Sequence, residues 1–339
     1  MSTMHAAAFG VGLVITLLLT SLVIRMCRHY GLYDRVDARK QHDRPTPRLG
    51  GVAMFAGLVA AMIVGLVLFG HYRLGKAMLV SAGFVPIFVV SLWDDLRSLP
   101  WWVRLAAQTA AAAVFAAAVD PVVRLNLPLV GTVALGAWSY PLTVAWLLLV
   151  TNAMNLIDGL DGLAAGIGAI SASVLFVSAV RTGYVIPAIL AAAIAGVCLG
   201  FLPYNFPPAR IFMGDAGAMT LGFALGAASM TGAGKNVAFI SLLVPILALA
   251  VPISDVLGAV IRRSARGGSI VQADRSHLHH YLVSLGLGPR RTVLLLYVAT
   301  ALFGVVGLYL SAGSRVPALV LLLLGSAGAV LLFGRRRSG

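Results

Sequence analysis

Four polar residues recur at every third position in a short stretch between two apolar segments. They are two amides and two carboxylates: Asn152, Asn155, Asp158 and Asp161. At this spacing the side chains share one face of a helix. Since a charge next to lipid costs about 2.5–3.5 kcal/mol, the stretch predicts a water-filled site. The alternative is a polar turn that only caps two helices, with Asp161 as the N-cap.

Two further carboxylate motifs lie at the ends of apolar runs. Asp94 and Asp95 are adjacent, and such a pair persists best beside a cation or as a proton acceptor with a raised pKa. Asp215 lies between Gly214 and Gly217 just before another run. Its carboxylate and the nearby backbone N–H groups suit a metal or a phosphate. A helix N-cap is the alternative for Asp215, and a cap can also be a ligand.

A basic segment before the second apolar run contains Lys40, His42 and Arg48, followed by Gly50 and Gly51. Cationic side chains beside a glycine pair suit phosphate groups. The alternative is ordinary charge that sets membrane topology.

Three histidines, His277, His279 and His280, lie within four residues of one another on a long polar segment. This grouping indicates phosphate or metal binding. Zinc is the less favoured ligand because no cysteine is nearby. The apolar run ahead of this segment contains Pro245 and Pro252, which predict a kinked or broken helix beside a cavity.

The composition indicates a polytopic membrane protein. Hydrophobic residues make up 60% of the 339 residues, charged residues only 11%, and the mean hydropathy is +0.96. A soluble domain has about 25% charged residues. In such a chain the net charge of +14 indicates topology and contact with anionic lipid rather than nucleic acid. Cys27 and Cys198 are too far apart in sequence to indicate a metal site or a disulfide framework.

Eleven apolar runs are long enough, or nearly so, to cross a bilayer. They lie near residues 5–24, 50–70, 77–92, 102–119, 133–151, 163–180, 184–202, 216–232, 237–256, 292–311 and 316–333. The first run has no basic residue before it, and Arg25 and Arg28 follow it. We therefore expect an uncleaved first helix with its N-terminus outside.

Threading eleven spans from that start places 19 of the 25 basic residues on one side, counting Arg104 just inside its helix, and this side is predicted to be cytoplasmic. Its segments are about 25–49, 93–101, 152–162, 203–215 and 257–291, with the C-terminal arginines at 335–337. The candidate carboxylates, amides, basic residues and histidines named above all lie in them. We expect an all-α protein with one membrane domain, 1–339, and a cytoplasmic site. A transporter would place its carboxylates near mid-span and often show repeats, and a scaffold would need none of these motifs.

The motifs together resemble the polyprenyl-phosphate N-acetylhexosamine-1-phosphate transferases. In chain order they are Asp94 and Asp95, the stretch 152–162, Asn205 with 212–217, and the histidines at 277–280. The likeness covers about residues 8–333, and four motifs in family order are highly specific. The histidine segment and the loop 40–51 are similar to the bacterial undecaprenyl-phosphate N-acetylglucosamine-1-phosphate transferases rather than to the paralogous phospho-MurNAc-pentapeptide transferase.

The resemblance implies transfer of a sugar-1-phosphate from a UDP-sugar to undecaprenyl phosphate with release of UMP. This would be the first membrane step of a cell-envelope glycan such as O-antigen, common antigen or teichoic acid. The donor is expected to be UDP-GlcNAc, with another UDP-N-acetylhexosamine or UDP-MurNAc-pentapeptide as alternatives. The expected location is the bacterial cytoplasmic membrane, and a homodimer is a candidate assembly. An Asp of the 94–95 pair is expected either to deprotonate the lipid phosphate for direct attack or to form a phosphosugar–enzyme intermediate. We favour direct attack because a phosphate dianion is already a nucleophile.

The resemblance also implies roles for the candidate residues. A Mg²⁺ ion, or Mn²⁺ in its place, is expected at Asp215 with Asp94 beside it. The expected catalytic carboxylates are Asp94, Asp95, Asp158 and Asp161. The expected substrate contacts are Lys40, His42, Arg48, Asn152, Asn155, Asn205, His277, His279 and His280. Such a set suits phosphoryl transfer, which needs neutralisation of charge more than covalent help.

Overall fold

The computed structural model describes residues 2–33, 46–69, 83–119, 124–127, 131–231, 236–265, 282–283, 286–314 and 316–321. The helices are α1 Ser2–Tyr30, α2 Gly50–Phe69, α3 Phe84–Leu96, α4 Trp101–Ala118, α5 Ser139–Ile157, α6 Leu163–Thr182, α7 Val185–Asn205, α8 Gly214–Thr231, α9 Phe239–Ala248, α10 Ala250–Ala265 and α11 Pro289–Ser311. Three short strands, β1 Arg124–Leu127, β2 Gly131–Ala134 and β3 Asn236–Ala238, accompany them. A 3₁₀ turn, Gly136–Trp138, precedes α5.

Six helical segments within these residues are long and apolar enough to cross a membrane. They are Thr3–Tyr30, Gly50–Leu68, Gly136–Ile157, Leu163–Thr182, Val185–Asn205 and Pro289–Ser311. A continuous helix satisfies its own backbone hydrogen bonds, which lipid cannot do. The prediction of a helical integral membrane protein is therefore confirmed.

Helices α6 and α7 form the interior of the bundle. Most of their residues are buried, and α7 packs against α1, α6 and α2. A side chain at Gly196 would collide with the backbone of Phe9, and one at Gly200 with the backbone of Leu13. Small residues let α1 and α7 approach this closely, and such packing is a main source of helix association in membranes.

The predicted break in the run 237–256 is confirmed. Helix α9 contains Pro245 and ends at Ala248, and α10 begins at Ala250. The hydroxyl of Ser171 on α6 donates to the carbonyl oxygen of Ala248 at 2.5 Å. Because the break exposes backbone groups, a partner from a neighbouring helix makes it tolerable inside a membrane protein.

The all-α prediction omitted a small sheet. Strand β1 pairs antiparallel with β2, from Arg124 opposite Ala134, and parallel with β3, from Arg124 opposite Asn236. The apolar run 133–151, predicted as one helix, therefore begins as the end of β2, and α5 starts only at Ser139. Gly136 has a φ of +53°, which favours glycine and marks the change from strand to helix.

Candidate active site

Asp95, at the end of α3, caps the start of α8. Its carboxylate accepts the backbone N–H groups of Asp215 and Ala216, both at 2.9 Å. Arg48 donates to the same carboxylate at 3.0 Å, and the Asp95 side chain is 0% exposed. Since the first N–H groups of a helix have no partner within the helix, Asp95 supplies the cap from a distant segment. Its oxygens are therefore committed to holding α8.

Asp94 and Asp215 are joined by one guanidinium. The Nη1 atom of Arg104, on α4, lies 2.9 Å from Oδ2 of Asp94 and 3.2 Å from Oδ2 of Asp215. Asp94 also accepts the N–H of Leu99 at 2.5 Å. The Asp215 side chain is 25% exposed, so it can reach a ligand that Asp95 cannot reach. Arg104 was not predicted as a site residue, because in the sequence it indicates only a charge that sets membrane topology.

The carboxylates lie close enough to change one another's ionisation. Burial, a hydrogen-bonding contact with Asp94 and the charges of Asp95 and Asp94 raise the pKa of Asp215 to about 7. Burial, followed by the charges of Asp215, Asp95 and Asp161, raises the pKa of Asp158 well above its usual range. The structure thus brings together four predicted carboxylates that lie up to 121 positions apart in the chain. This carboxylate cluster consists of Asp94, Asp95, Asp158 and Asp215.

The basic segment and the Asp215 segment are neighbours along their backbones. The N–H of Phe212 donates to the carbonyl of Pro47 at 2.8 Å, and the N–H of Gly51 donates to the carbonyl of Met213 at 2.8 Å. A side chain at Gly51 would collide with the backbone of Gly217. The glycine pair, which was predicted to help bind phosphate, therefore lets α2 start directly against α8.

Gly214 joins these two segments. It has a φ of +68°, which favours glycine, and an added Cβ would lie 2.5 Å from the carbonyl oxygen of Arg48 and 2.6 Å from Oδ2 of Asp95. Both its backbone conformation and its surroundings thus require glycine beside the capping carboxylate.

Asn152 lies on α5 and belongs to a polar network between helices. Its Nδ2 donates to Oε1 of Gln108 at 2.8 Å and to the carbonyl of Leu148 at 2.8 Å. Nε2 of Gln108 and the Ser91 hydroxyl both donate to Sδ of Met219, at 3.4 and 3.1 Å. The donors of Asn152 are thus engaged within the protein, so a ligand would meet its acceptor Oδ1. Gln108, one turn beyond Arg104, is a second residue that the sequence analysis missed.

The turn 158–162 is fastened to the loop after α7. Asn205 is buried and accepts the N–H of Gly162 at 3.0 Å, while its Nδ2 donates to the carbonyl of Ile211 at 2.9 Å. Oδ2 of Asp161 accepts the N–H of Ala209 at 2.9 Å. These contacts favour positioning roles for Asn205 and Asp161. Helix α6 has Gly162, not Asp161, at its N-cap position, so the simple capping alternative for Asp161 is wrong.

The remaining candidates divide into two groups. Asn155 lies half-buried near the end of α5, which continues to Ile157, so the first half of the predicted segment 152–162 is helical. The other candidates lie outside the described residues, and their roles stay predictions: Lys40, His42, His277, His279 and His280.

The donor set fits Mg²⁺ better than a metal that needs a protein cage. Within the described ranges there is no group of three or more histidine, cysteine or acidic side chains that alone could hold a metal. Mg²⁺ usually binds one or two carboxylates and completes its shell with water and substrate phosphates. Asp94 and Asp215 already share one cationic group, and Asp215 is partly exposed, so this pair suits an ion that arrives with a phosphate ligand.

Comparison with known proteins identifies the family. Residues 77–233 match glycosyl transferase family 4. The chain is 37% identical over 308 residues to a probable undecaprenyl-phosphate N-acetylglucosaminyl 1-phosphate transferase of Bacillus subtilis, covering 91% of this chain and 85% of the relative. It is 38% identical to a decaprenyl-phosphate N-acetylglucosaminephosphotransferase of Mycolicibacterium smegmatis, covering 84% and 77%.

A paralogous activity is also represented among the relatives. A phospho-N-acetylmuramoyl-pentapeptide-transferase of Desulforudis audaxviator is 32% identical, covering 89% of this chain and 96% of the relative. The matches extend over most of both chains, and the family match at residues 77–233 spans the positions of these carboxylates. The chain is therefore a membrane-embedded enzyme and belongs to glycosyl transferase family 4.

Proposed function

We propose that the enzyme transfers N-acetylglucosamine-1-phosphate from UDP-GlcNAc to undecaprenyl phosphate. An oxygen of the lipid phosphate forms a bond to the β-phosphorus of the donor. The bond from that phosphorus to the bridging oxygen breaks, and UMP leaves with this oxygen. The observation that carries the proposal is the cluster of Asp94, Arg104 and Asp215, which suits a reaction between two anions. The names of the B. subtilis and M. smegmatis relatives support a polyprenyl phosphate acceptor and an N-acetylglucosaminyl donor.

Asp215 and Asp94 are the residues proposed to hold Mg²⁺, or Mn²⁺ in its place. When bound, the ion would neutralise charge on the pyrophosphate of the donor. Arg104 contributes a fixed positive charge at the same place and can contact phosphate when the carboxylates engage the metal. Asp95 keeps Asp215 in position through the first N–H groups of α8.

Asp158 is the carboxyl group best suited to exchange a proton with the lipid phosphate. Burial and the neighbouring carboxylates raise its pKa well above the usual range, as suits a carboxyl group that exchanges a proton. Removing the last phosphate proton gives the dianion, which then attacks directly. Asn155, Arg48 and the residues outside the described ranges remain proposed substrate contacts, while Asn205 and Asp161 hold the turn.

We further propose eleven spans, with the site facing the cytoplasm of a bacterial inner membrane. The basic asymmetry supports this orientation. Arg210, in the loop after α7, and Tyr184, in the turn between α6 and α7, are both exposed and lie at opposite ends of α7. In intact cells an impermeant maleimide should label a cysteine at 184 but not one at 210. Labelling of position 210 from outside would contradict the proposed orientation.

A donor panel tests the proposed reaction. Purified enzyme with Mg²⁺ and undecaprenyl phosphate should release UMP from UDP-GlcNAc faster than from UDP-GalNAc or UDP-MurNAc-pentapeptide. UMP release should stop when the lipid is omitted. The pentapeptide donor is included because of the similarity to the D. audaxviator relative. Preference for that donor would assign the alternative function, and release of UDP instead of UMP would overturn the proposed chemistry.

A further inference from the structure

The peptide units of Gly162 are held from two sides by side chains of distant helices. Its N–H donates to Asn205 of α7, and its carbonyl oxygen accepts the hydroxyl of Tyr297 of α11 at 2.5 Å. Gly162 has a φ of +74° and ends the turn that contains Asp158 and Asp161. The same carbonyl accepts the N–H of Gly166 at 2.9 Å, which starts α6. The end of the turn is therefore fixed with respect to two helices.

The first turn of α6 is shaped to admit the Tyr297 ring. A side chain at Gly166 would collide with the ring of Tyr297, and a Cβ at Gly162 would lie 3.4 Å from its hydroxyl oxygen. Gly166 thus leaves open the space that the half-buried ring fills. The hydroxyl reaches Gly162 only because position 166 has no side chain.

Helix α11 also holds the loop on the other side of the turn. Nε of Arg290 donates to the carbonyl of Pro207 at 2.9 Å, and the N–H of Ala209 in the same loop donates to Asp161. Two positions of α11, two turns apart, therefore contact both segments that frame the turn. This helix directly follows the chain segment that contains the predicted histidines.

The position of this turn matters because it contains two of the predicted catalytic carboxylates, Asp158 and Asp161. Asp158 directly follows the last residue of α5, so the contacts at Gly162 fix the other end of the turn. A displacement of about 1 Å at a catalytic group can cost about 100-fold in rate.

We propose that Tyr297 is a positioning residue, which holds the Asp158 turn against the carboxylate cluster through its hydrogen bond to Gly162. The proposal rests on the proposed function, since it assigns Asp158 to the transfer reaction. Tyr297 does not act on the substrate itself. Its hydroxyl group is the part that matters, so removal of one oxygen atom should be sufficient to expose the role.

Two measurements on the Tyr297→Phe variant test the proposal. Hydrogen–deuterium exchange should become faster in the peptide covering residues 158–166, because the Gly162 peptide loses one of its two side-chain partners. The kcat for UMP release should fall about 10-fold to 100-fold, with KM for the donor changed less than kcat. Tyr309→Phe is the matched control, since Tyr309 is on the same helix and 41% exposed. It should change neither measurement.

Gly166→Ala provides a second variant, because it displaces the ring while keeping the hydroxyl. It should reproduce both effects of Tyr297→Phe. Faster exchange with unchanged kcat would show that the contact has no role in the reaction, and reduced kcat with unchanged exchange would make Tyr297 a direct contact. Either result overturns the proposal. If the wild-type enzyme releases no UMP, the proposed function fails. Unchanged exchange in Tyr297→Phe would show, independently of activity, that Tyr297 does not hold the turn in place.

Discussion

The carboxylate of Asp95 accepts the backbone N–H of Asp215 at 2.9 Å, although 119 residues separate the two in the chain. With the second bond to Ala216, this contact makes the end of α3 the N-terminal cap of α8. Asp95 thereby sets the position of Asp215, and adjacent Asp94 shares Arg104 with it. Two neighbouring aspartates consequently have different contacts: Asp95 caps a helix, and Asp94 shares a guanidinium with Asp215.

Asp95→Asn should destabilise the protein by about 1–3 kcal/mol, because an amide replaces one of two oxygens that accept backbone N–H groups in a buried place. The measurement is the thermal midpoint of the detergent-solubilised protein. Asp94→Asn is the matched control and should lower the midpoint less, because Asp94 caps no described helix from a distance. Equal midpoints for Asp95→Asn and the wild type, with activity lost, would instead indicate a catalytic contact at Asp95.

Metal binding should depend on pH with a midpoint near 7. The raised pKa of Asp215, about 7, means that a proton occupies its carboxyl at lower pH and competes with the metal. Affinity should therefore rise as the pH increases through 7 and level off above it. Mn²⁺ binding followed by electron paramagnetic resonance between pH 5.5 and 8.5 measures this. An affinity that is constant across pH 7, or that falls with increasing pH, contradicts the assignment.

Arg104→Gln should move the midpoint of that pH dependence upward. The guanidinium lowers the pKa of Asp215, whereas burial and the neighbouring carboxylates raise it. Removing the guanidinium should therefore raise the pKa of Asp215 further. Arg97→Gln is the control, because it removes the same charge from an exposed position at the end of α3. The same Mn²⁺ titration distinguishes them. Equal shifts in the two variants would show that only net charge matters, not the contact of Arg104 with Asp94 and Asp215.

Gly51→Ala should destabilise the protein by about 1–3 kcal/mol, as expected for overpacking of a tight contact. The added methyl group would meet the backbone of Gly217, which cannot move without shifting the start of α8. Gly10→Ala, on α1, is the control, since a Cβ there would have no atom within 4 Å. Thermal midpoints of both variants provide the comparison. A Gly51→Ala protein as stable as the wild type would contradict the close packing of α2 against α8.

Periodic and local features of the fold were predictable from the sequence. Long apolar runs give α6 and α7 within a few residues, and Pro245 with Pro252 indicates the break at 249. The small sheet was missed because strand β2 is apolar and continues into the run that forms α5. In a chain this apolar, hydropathy does not distinguish a short strand from the start of a span.

Most residues of the site were predictable from the sequence, but the role of each residue was not. Asp94, Asp95, Asp158 and Asp215 were selected as charges beside apolar segments, which requires no knowledge of contacts. The capping role of Asp95 arises only when α3 meets α8, and adjacent positions in a sequence do not reveal which carboxylate will be enclosed.

Residues outside the motifs were missed for a related reason. Arg104, Gln108 and Tyr297 each look ordinary in a helical pattern. Each of them has a hydrogen-bond partner that lies 44 to 135 positions away in the chain.

The most direct test of the central claim is turnover against Mg²⁺ concentration for three variants, with folding checked by size exclusion in detergent. If Asp215 and Asp94 bind the metal and Asp95 positions α8, Asp215→Asn and Asp94→Asn should retain activity only at much higher Mg²⁺. Asp95→Asn should show reduced turnover that added Mg²⁺ does not restore. Rescue of Asp95→Asn by Mg²⁺ but not of Asp215→Asn would reverse these roles, and full activity in all three variants would contradict the assigned site.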